Sequence, residues 1–224
     1  MNTAMILRLV RKDWMFQRTP ILAAFAAGAL ALIALATGGE GSFYAGAVLL
    51  ITVVISLGIY LVIVTVQQER TDKTLLFIMS LPVSVQEYTA AKLVANMLMF
   101  LVPWTALGVG VVVVTLTRSG VPDGLLPFYI LTLLELLAGY VLVLAVALVS
   151  ESMGWTFGAI MFCNLFLQGF LYVVSHDADI AASMALNNIV WHRQSVLLLI
   201  AELALIVIIV VVAWRLQARK TDFL

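Results

Sequence analysis

Six long apolar stretches dominate the chain and limit what it can fold into. A helix that crosses a membrane needs roughly 20 mostly apolar residues, because the hydrocarbon core is about 30 Å thick and each residue rises about 1.5 Å. Six stretches meet this requirement: 20–37, 43–66, 93–117, 125–149, 155–174 and 195–214. Breaks that contain glycine or charged residues separate them. We therefore predict an all-α integral membrane protein, a six-transmembrane-helix bundle that forms a single domain over residues 1–224.

The composition supports this prediction and excludes several functions. Of all residues, 64% are hydrophobic and 11% are charged, whereas about a quarter of a soluble domain is charged. The formal net charge of zero provides no basic surface for nucleic acid. A single cysteine, Cys163, excludes disulfides and thiolate zinc sites within one chain, and two histidines exclude a HExxH metalloprotease. The sequence contains no nucleophile elbow, so we do not expect an enzyme.

The distribution of lysine and arginine predicts the orientation. Cationic loops stay on the cytoplasmic side of a membrane. If the N-terminus is inside, only Arg118 and Arg193 of the 12 basic residues fall in outer loops, which leaves 12 − 2 = 10 on the inner side. We predict a multi-pass protein of the inner cell membrane with both termini in the cytoplasm.

The segment before the first span has the pattern of an amphipathic helix. Its basic residues and its apolar residues fall on opposite sides of a helix: Arg8, Arg11 and Lys12 against Ile6, Leu9, Val10 and Trp14. We predict an interfacial helix over residues 1–19, and Asp13 on its apolar side needs a partner that the sequence does not identify. The triplet Ala34-Leu35-Ala36 resembles a signal cleavage site. The apolar run before it is longer than the roughly 7 to 15 residues of a signal, so we expect the segment to be retained.

The longest charged interruption lies between the second and third spans, at residues 67–92. It contains a short apolar segment, 73–80, which at about two turns cannot cross a bilayer and needs a protein surface to cover it. Pro82 ends that segment, and Ser84 with Glu87 forms a capping-box pattern that predicts the start of a new helix. The residues alone also allow a cytoplasmic hairpin without a partner.

This interruption resembles the first intracellular loop of ABC-2-type transporter permeases. The resemblance rests on Glu69-Arg70, Lys73-Thr74-Leu75, Ser80-Leu81-Pro82-Val83-Ser84, Glu87-Tyr88 and Ala91-Lys92, with Arg11-Lys12-Asp13-Trp14 at the start of the chain. In that family the loop forms a coupling helix that docks on an ATP-binding subunit. The resemblance implies that the docking residues are Glu69, Arg70, Lys73, Leu75, Leu76, Ile78, Met79, Leu81, Pro82 and Glu87, with Glu151 from the second inner loop.

The resemblance also implies partners and a function. The chain has no G-x-x-x-x-G-K-[ST] loop, so ATP and magnesium would bind to two copies of a separate ATP-binding subunit and the chain itself needs no cofactor. A second permease chain, identical or related, would complete the exporter. Gly154 and Gly158 provide a small-x-x-x-small face that suits either this dimer or packing within one bundle. An amphiphilic cargo such as a peptide, an antibiotic or a lipid is expected, and a heme-exporter B-like permease remains an alternative.

Four polar residues inside the spans are further candidates. Glu135 and Glu202 are carboxylic acids within hydrocarbon, where each costs about 2.5 to 3.5 kcal/mol. They fit a proton or cation path in an ion-gradient-driven carrier, or hydrogen-bonded braces between helices. Asn164 and Gln168 share one helix face and fit either a path or interhelical hydrogen bonds.

The long outer loop, 175–194, is predicted to carry a short helix over 180–186 that acts as a lid in the family. It contains two histidines and two aspartates, His176, Asp177, Asp179 and His192. Their spacing matches no known metal site closely, so we predict a hydrated loop and no metal centre.

Overall fold

A computed structural model describes residues 3–71, 85–118 and 120–218 of the chain. Within these ranges, seven α-helices follow one another along the chain. They are α1 (Thr3–Thr37), α2 (Glu40–Val62), α3 (Val85–Thr117), α4 (Leu126–Ser150), α5 (Met153–His176), α6 (Ala178–Met184) and α7 (Arg193–Ala218). A π-helical turn (Ile63–Gln67) and one α-helical turn (Gln68–Thr71) continue α2, and a 3-10 turn (Asp123–Leu125) precedes α4.

Six of these helical segments are long and apolar enough to cross a membrane, as predicted. They comprise Thr3–Thr37, Gly41–Gln67, Glu87–Thr117, Asp123–Ser150, Met153–His176 and Arg193–Gln217. No strand occurs in the described ranges. The all-helical, six-span, multi-pass architecture is therefore confirmed.

The fourth span occupies the centre of the bundle. In the most apolar part of α4, 72% of the residues are buried, against 11% in the corresponding parts of α5 and α7. α4 packs against α2, α5 and α7, while α1 packs against α2 and α3. Lipid-facing side chains therefore concentrate on α5 and α7, because a helix at the edge of a bundle exposes its apolar surface to hydrocarbon.

The first helix runs without a break from Thr3 to Thr37 and includes Pro20. The predicted interfacial helix and the predicted first span are thus one continuous element. Proline lacks an N–H group and removes one helical hydrogen bond, a loss that packing with neighbouring helices offsets in membrane proteins. Ile6 at the start of α1 is buried against Ala90 and Ala91 of α3, so this part of α1 packs on the bundle. Its position in the headgroup layer stays a prediction.

An aromatic pair fixes α3 against α4 in the core. The rings of Phe100 and Tyr140 stack with centroids 3.8 Å apart, and both side chains are almost fully buried. The Tyr140 hydroxyl donates to the backbone oxygen of Asn96 at 2.9 Å. A buried tyrosine needs such an acceptor, so this bond sets the register of the two helices.

We call the end of the bundle that holds the first turns of α1 and α3 the N-terminal end, and the opposite end the far end. At the far end, Arg118 donates to the backbone oxygens of Leu35 and Gly38, where α1 stops. A cation at this position compensates the unpaired carbonyls at a helix C-terminus. The same guanidinium lies 5.3 Å from the ring centroid of Phe43.

The short helix expected in the outer loop is present as α6, two residues earlier than its predicted start. Asp177 caps it by accepting bonds from the N–H groups of Asp179 and Ile180. Gly124 donates its N–H to the Leu186 oxygen at 2.9 Å, and a Cβ at this glycine would lie 1.9 Å from the Ser183 oxygen. Glycine is therefore required where α6 folds over the turn before α4.

Candidate functional site

The end of α2 departs from regular helix geometry just before the charged segment begins. The π-helical turn Ile63–Gln67 contains three buried residues, Thr65, Val66 and Gln67. A π turn accommodates one extra residue within a helix and often occurs at functional sites. Here it brings two polar side chains, those of Thr65 and Gln67, into the bundle.

Both polar side chains of the π turn bond to other helices. The Thr65 hydroxyl donates to the Asn96 side-chain oxygen on α3 at 2.9 Å, and the Gln67 amide donates to the Thr156 hydroxyl on α5 at 2.7 Å. Asn96 in turn donates to the backbone oxygen of Lys92 at 3.0 Å. These bonds connect α2 with α3 and α5, because each polar group in an apolar interior needs a partner.

Among the described residues, four charged side chains meet at the N-terminal end, and we call them the ion cluster: Lys12, Asp13, Glu69 and Lys92. The Lys92 ammonium lies 2.7 Å from Asp13 Oδ2 and 2.8 Å from Glu69 Oε2. The Lys12 ammonium lies 2.9 Å from Glu69 Oε1 and 3.3 Å from Asp13 Oδ1. Each cation contacts both anions, and the two positive charges balance the two negative ones.

The ion cluster is largely shielded from solvent. Only 3% of the Lys92 side chain and 6% of the Asp13 side chain are exposed. Burial raises the pKa of Glu69, but the charges and hydrogen bonds of Lys92 and Lys12 outweigh this effect, so that its pKa lies below the ordinary 4.5. Glu69 is therefore ionised at neutral pH. The Tyr88 hydroxyl adds a hydrogen bond to Glu69 Oε2 at 3.2 Å.

The ion cluster joins three parts of the chain that are distant in sequence. Lys12 and Asp13 belong to α1, Glu69 to the turn after α2, and Lys92 to α3. The segment 72–84, between Glu69 and Lys92, lies outside the described residues, and so do the predicted docking residues Lys73, Leu75, Leu76, Ile78, Met79, Leu81 and Pro82. The cluster thus ties both flanks of this segment to the first helix.

The cluster also shows what the sequence revealed and what it did not. Glu69 was a predicted docking residue, but in the structure its carboxylate binds Lys12 and Lys92 within the chain. Asp13 was expected to need a partner, and that partner is Lys92. The sequence indicated that Asp13 needs a partner, because its carboxylate falls on the apolar side of an amphipathic helix. No sequence pattern identified Lys92 as that partner.

The remaining predicted docking residues occupy different positions. The backbone of Arg70 lies in the turn Gln68–Thr71, and Glu87 is buried in the first turn of α3. Glu151 follows the last residue of α4 with φ = 57°, a left-handed conformation that ends the helix. Glu151 is partly exposed in the short connection to α5, at the same end of the bundle as the ion cluster.

A second group of polar residues lies near mid-membrane, around a cavity of about 50 Å³. Glu135 of α4 and Asn164 of α5 line it, together with Cys163, Phe100 and Tyr140. Glu135 is 6% exposed, and none of the described hydrogen bonds involves its carboxyl group. The Asn164 amide donates to the Ile160 backbone oxygen at 2.9 Å, which leaves its own oxygen available. Glu135 and Asn164 were predicted from the sequence as candidates, whereas the aromatic pair had no sequence signal.

Glu202 of α7 lies at the same depth as Glu135. Both residues are nine positions after the start of helices that run in the same direction, 126 to 135 and 193 to 202. Both oxygens of Glu202 are buried without a hydrogen-bond partner in the described part of the chain. Its carboxyl group is close enough to that of Glu135 for an electrostatic interaction. The hydrogen bond expected of an interhelical brace is therefore not formed at Glu202.

A larger cavity of about 450 Å³ opens toward the far end. Gln168, one turn beyond Asn164 on the same face of α5, lines this cavity and not the smaller one. That face of α5 therefore contributes to the walls of both cavities. Most of the wall is apolar or aromatic, with Phe43, Tyr129 and Tyr172 among its residues. Leu136 of α4 lines both cavities, which places them side by side.

The predicted glycine face on α5 is open. Gly154 and Gly158 are exposed, and no atom of the described chain lies within 4 Å of a Cβ built on Gly158. Met161 and Leu165 continue the same face and are 67% and 72% exposed. Within the described part of the chain, this glycine face is therefore not covered by another helix.

Comparison with known protein families identifies the chain. The family described as ABC-2 family transporter protein matches residues 8–219, which is nearly the whole chain. The chain belongs to the ABC-2 transporter family. No curated protein and no solved structure matches it.

Membership in the ABC-2 family makes the chain a membrane component of an ABC transporter. The family match includes both polar groups, the ion cluster at the N-terminal end and the Glu135 cavity near mid-membrane. In this chain, the first group adjoins the segment between the second and third spans, and the second lies within the predicted spans. The two groups therefore fit different tasks, one at the surface and one in the hydrocarbon.

Proposed function

We propose that this chain is the permease subunit of an ATP-driven exporter in the inner cell membrane. A separate ATP-binding subunit, present in two copies, binds ATP and magnesium and docks on the N-terminal end of the bundle, which faces the cytoplasm together with both termini. The segment 73–80 forms the coupling helix, and Glu151 adds a smaller contact. ATP binding moves the coupling helices, and a path for an amphiphilic cargo opens outward.

The ion cluster is the observation that carries this proposal. It links both flanks of segment 72–84 to α1 through bonds of 2.7 to 2.9 Å. A push on that segment is therefore transmitted to α1, α2 and α3 together, because buried and fully paired charges resist separation. The π turn extends the connection to α5 through Gln67 and Thr156.

A co-purification experiment with matched leucine variants tests the docking assignment. The chain is purified from its native membranes with a C-terminal tag, and ATP-binding proteins are identified by mass spectrometry. Leu76→Asp, which places a charge in the apolar coupling segment, is expected to reduce recovery of the ATP-binding subunit at least about tenfold. Leu186→Asp, an exposed leucine near the far end, is the control and retains the subunit.

The unfolding temperature of Leu76→Asp distinguishes a loss of docking from a loss of folding. Leu76→Asp is expected to keep the unfolding temperature of the wild-type chain, because segment 73–80 lies outside the apolar spans. Recovery of the ATP-binding subunit at the wild-type level in Leu76→Asp contradicts docking through this segment.

The second permease chain meets the first along α5. The face of Gly154, Gly158, Met161 and Leu165 is exposed and has small residues where a second helix can approach closely. Hydrocarbon contacts alone do not require glycines at this position. Contact of two chains along α5 supports a transport path between the two bundles. The two chains are identical or are a related pair.

A carrier driven by an ion gradient is the second candidate function. It is favoured by one observation, the buried Glu202 beside Glu135, which has no hydrogen-bond partner among the described residues. An acid without a partner in hydrocarbon often marks an ion pathway. Transport by the purified chain in liposomes without an ATP-binding subunit, abolished in Glu135→Gln, would favour the carrier. Transport that depends on ATP and its subunit favours the exporter.

A further inference from the structure

Glu135 provides a hydrogen-bond acceptor without a donor near mid-membrane. It is 6% exposed, and it lines the small cavity with no counter-ion among the described residues. The titratable neighbour that interacts with it is another acid, Glu202, which supplies no cation to pair with it. A buried carboxylate is stabilised by a positive group that donates hydrogen bonds to it.

The other walls of the small cavity suit an ammonium group. The Asn164 oxygen is a second acceptor, because its amide nitrogen already donates to Ile160. Phe100 and Tyr140 line the same cavity with their stacked rings. A cation within about 6 Å of an aromatic face is attracted to it, and this attraction is strongest where water is absent.

An inorganic divalent ion fits these walls poorly. Calcium takes 6–8 oxygen ligands and magnesium demands octahedral geometry, whereas the described residues contain no group of three acidic, cysteine or histidine side chains that could hold a metal. Most of the cavity wall is aliphatic, as at Val54, Ile59 and Leu167. An alkylammonium group, with a cationic head and an apolar body, matches this mixture.

The neighbouring cavity has room for the apolar body. The small cavity, at about 50 Å³, accommodates a head group but not an amphiphile, since one water occupies about 30 Å³. The larger cavity of about 450 Å³ adjoins it at Leu136 and is mostly apolar. A molecule with its head at Glu135 therefore finds space for its chain toward the far end.

We propose that the two cavities form a single binding site for a cationic amphiphile with a protonated amine. The amine binds Glu135 and the Asn164 oxygen and lies against the Phe100–Tyr140 pair, while its apolar chain fills the larger cavity. That this molecule is exported rests on the proposed function, whereas its binding does not.

Photoaffinity labelling of the purified chain in lipid nanodiscs tests the site. The probe is dodecylamine that carries a diazirine on its chain, and the matched neutral probe is dodecanol with the same diazirine. The wild-type chain is expected to be labelled by the amine about tenfold more efficiently than by the alcohol, with labelled residues in the wall of the larger cavity. Equal labelling by the two probes would overturn the proposal.

Three variants assign the preference to Glu135. Glu135→Gln is expected to abolish the preference for amine over alcohol, and Glu135→Asp to retain most of it, because only the latter keeps a charge. Asp179→Asn, an exposed acid on α6, is the control and keeps the full preference. Labelling by the alcohol probe reports whether each variant is folded. An unchanged preference in Glu135→Gln contradicts the site.

Transport by the complete complex separates this inference from the exporter proposal. If the amine binds through Glu135 but no ATP-dependent export occurs with the ATP-binding subunit, the exporter proposal fails and the site stands. If ATP-dependent export of the amine proceeds equally in Glu135→Gln, the exporter stands and the site is wrong.

Discussion

Lys92 carries its charge into an interior where only 3% of its side chain remains exposed. It is stabilised there by Asp13 at 2.7 Å and Glu69 at 2.8 Å. Removal of one partner from such a buried pair leaves the other charge uncompensated, which is more costly than removal of both. At the scale of the residue, the contribution of Lys92 to stability therefore depends on the acids that it neutralises.

We expect Lys92→Met to lower the free energy of unfolding by about 3 to 5 kcal/mol, because Asp13 and Glu69 both lose a buried cation. The double variant Asp13→Leu/Lys92→Met is expected to recover most of this loss, since the pair Lys12–Glu69 remains balanced. Chemical unfolding in detergent micelles measures both. Arg8→Met removes an exposed cation on α1, the helix that carries Asp13, and is the control with an expected change below about 0.5 kcal/mol. Failure of the double variant to recover stability would refute a balanced cluster.

At the scale of the element, the apolar stretches predicted the six spans closely, but not their internal irregularities. A membrane imposes a minimum length on each helix, so hydropathy locates the spans from sequence alone. The π turn at Ile63–Gln67 and the uninterrupted passage of α1 through Pro20 had no such signal. Both depend on neighbouring helices, which supply partners for the displaced backbone and side chains. For the same reason, the sequence indicated Glu135 as an isolated acid but did not predict the cavity around it.

The contact between α6 and the turn before α4 leads to a prediction at this scale. Gly124→Ala places a methyl group against the Ser183 oxygen, where a Cβ would lie at 1.9 Å. We expect α6 to detach, at a cost of about 1 to 3 kcal/mol, and hydrogen exchange of the amides of residues 178–186 to accelerate. Gly39→Ala is the matched control, because nothing lies within 4 Å of a Cβ there. Equal protection of α6 in Gly124→Ala and in the wild-type chain would contradict this packing.

At the scale of the whole molecule, exposure is distributed unevenly. α4 is enclosed by other helices, whereas α5 exposes a face that contains two glycines. Lipid or a second chain must cover that face in a membrane. The sequence identified the glycines but left their partner open, because packing within one bundle and between bundles uses the same small residues.

We expect Gly158→Leu to shift the purified chain from dimer to monomer, because the larger side chain prevents close approach of two α5 helices. Native mass spectrometry in detergent measures the distribution, with a dimer fraction expected to fall at least about tenfold, the effect of about 1.4 kcal/mol. Gly41→Leu, a glycine in open space at the start of α2, is the control. A dimer that persists in Gly158→Leu would exclude this face as the interface.

The equal depth of Glu135 and Glu202 in two helices of the same direction has an electrical consequence. A positive charge that reaches the middle of the bilayer from the cytoplasm moves through about half of the membrane potential, which amounts to roughly 1 kcal/mol for each 100 mV. An inside-negative cell opposes that movement. Occupancy of this level by a cation that enters from the cytoplasm should therefore fall as the membrane is polarised, even when its cytoplasmic concentration is constant.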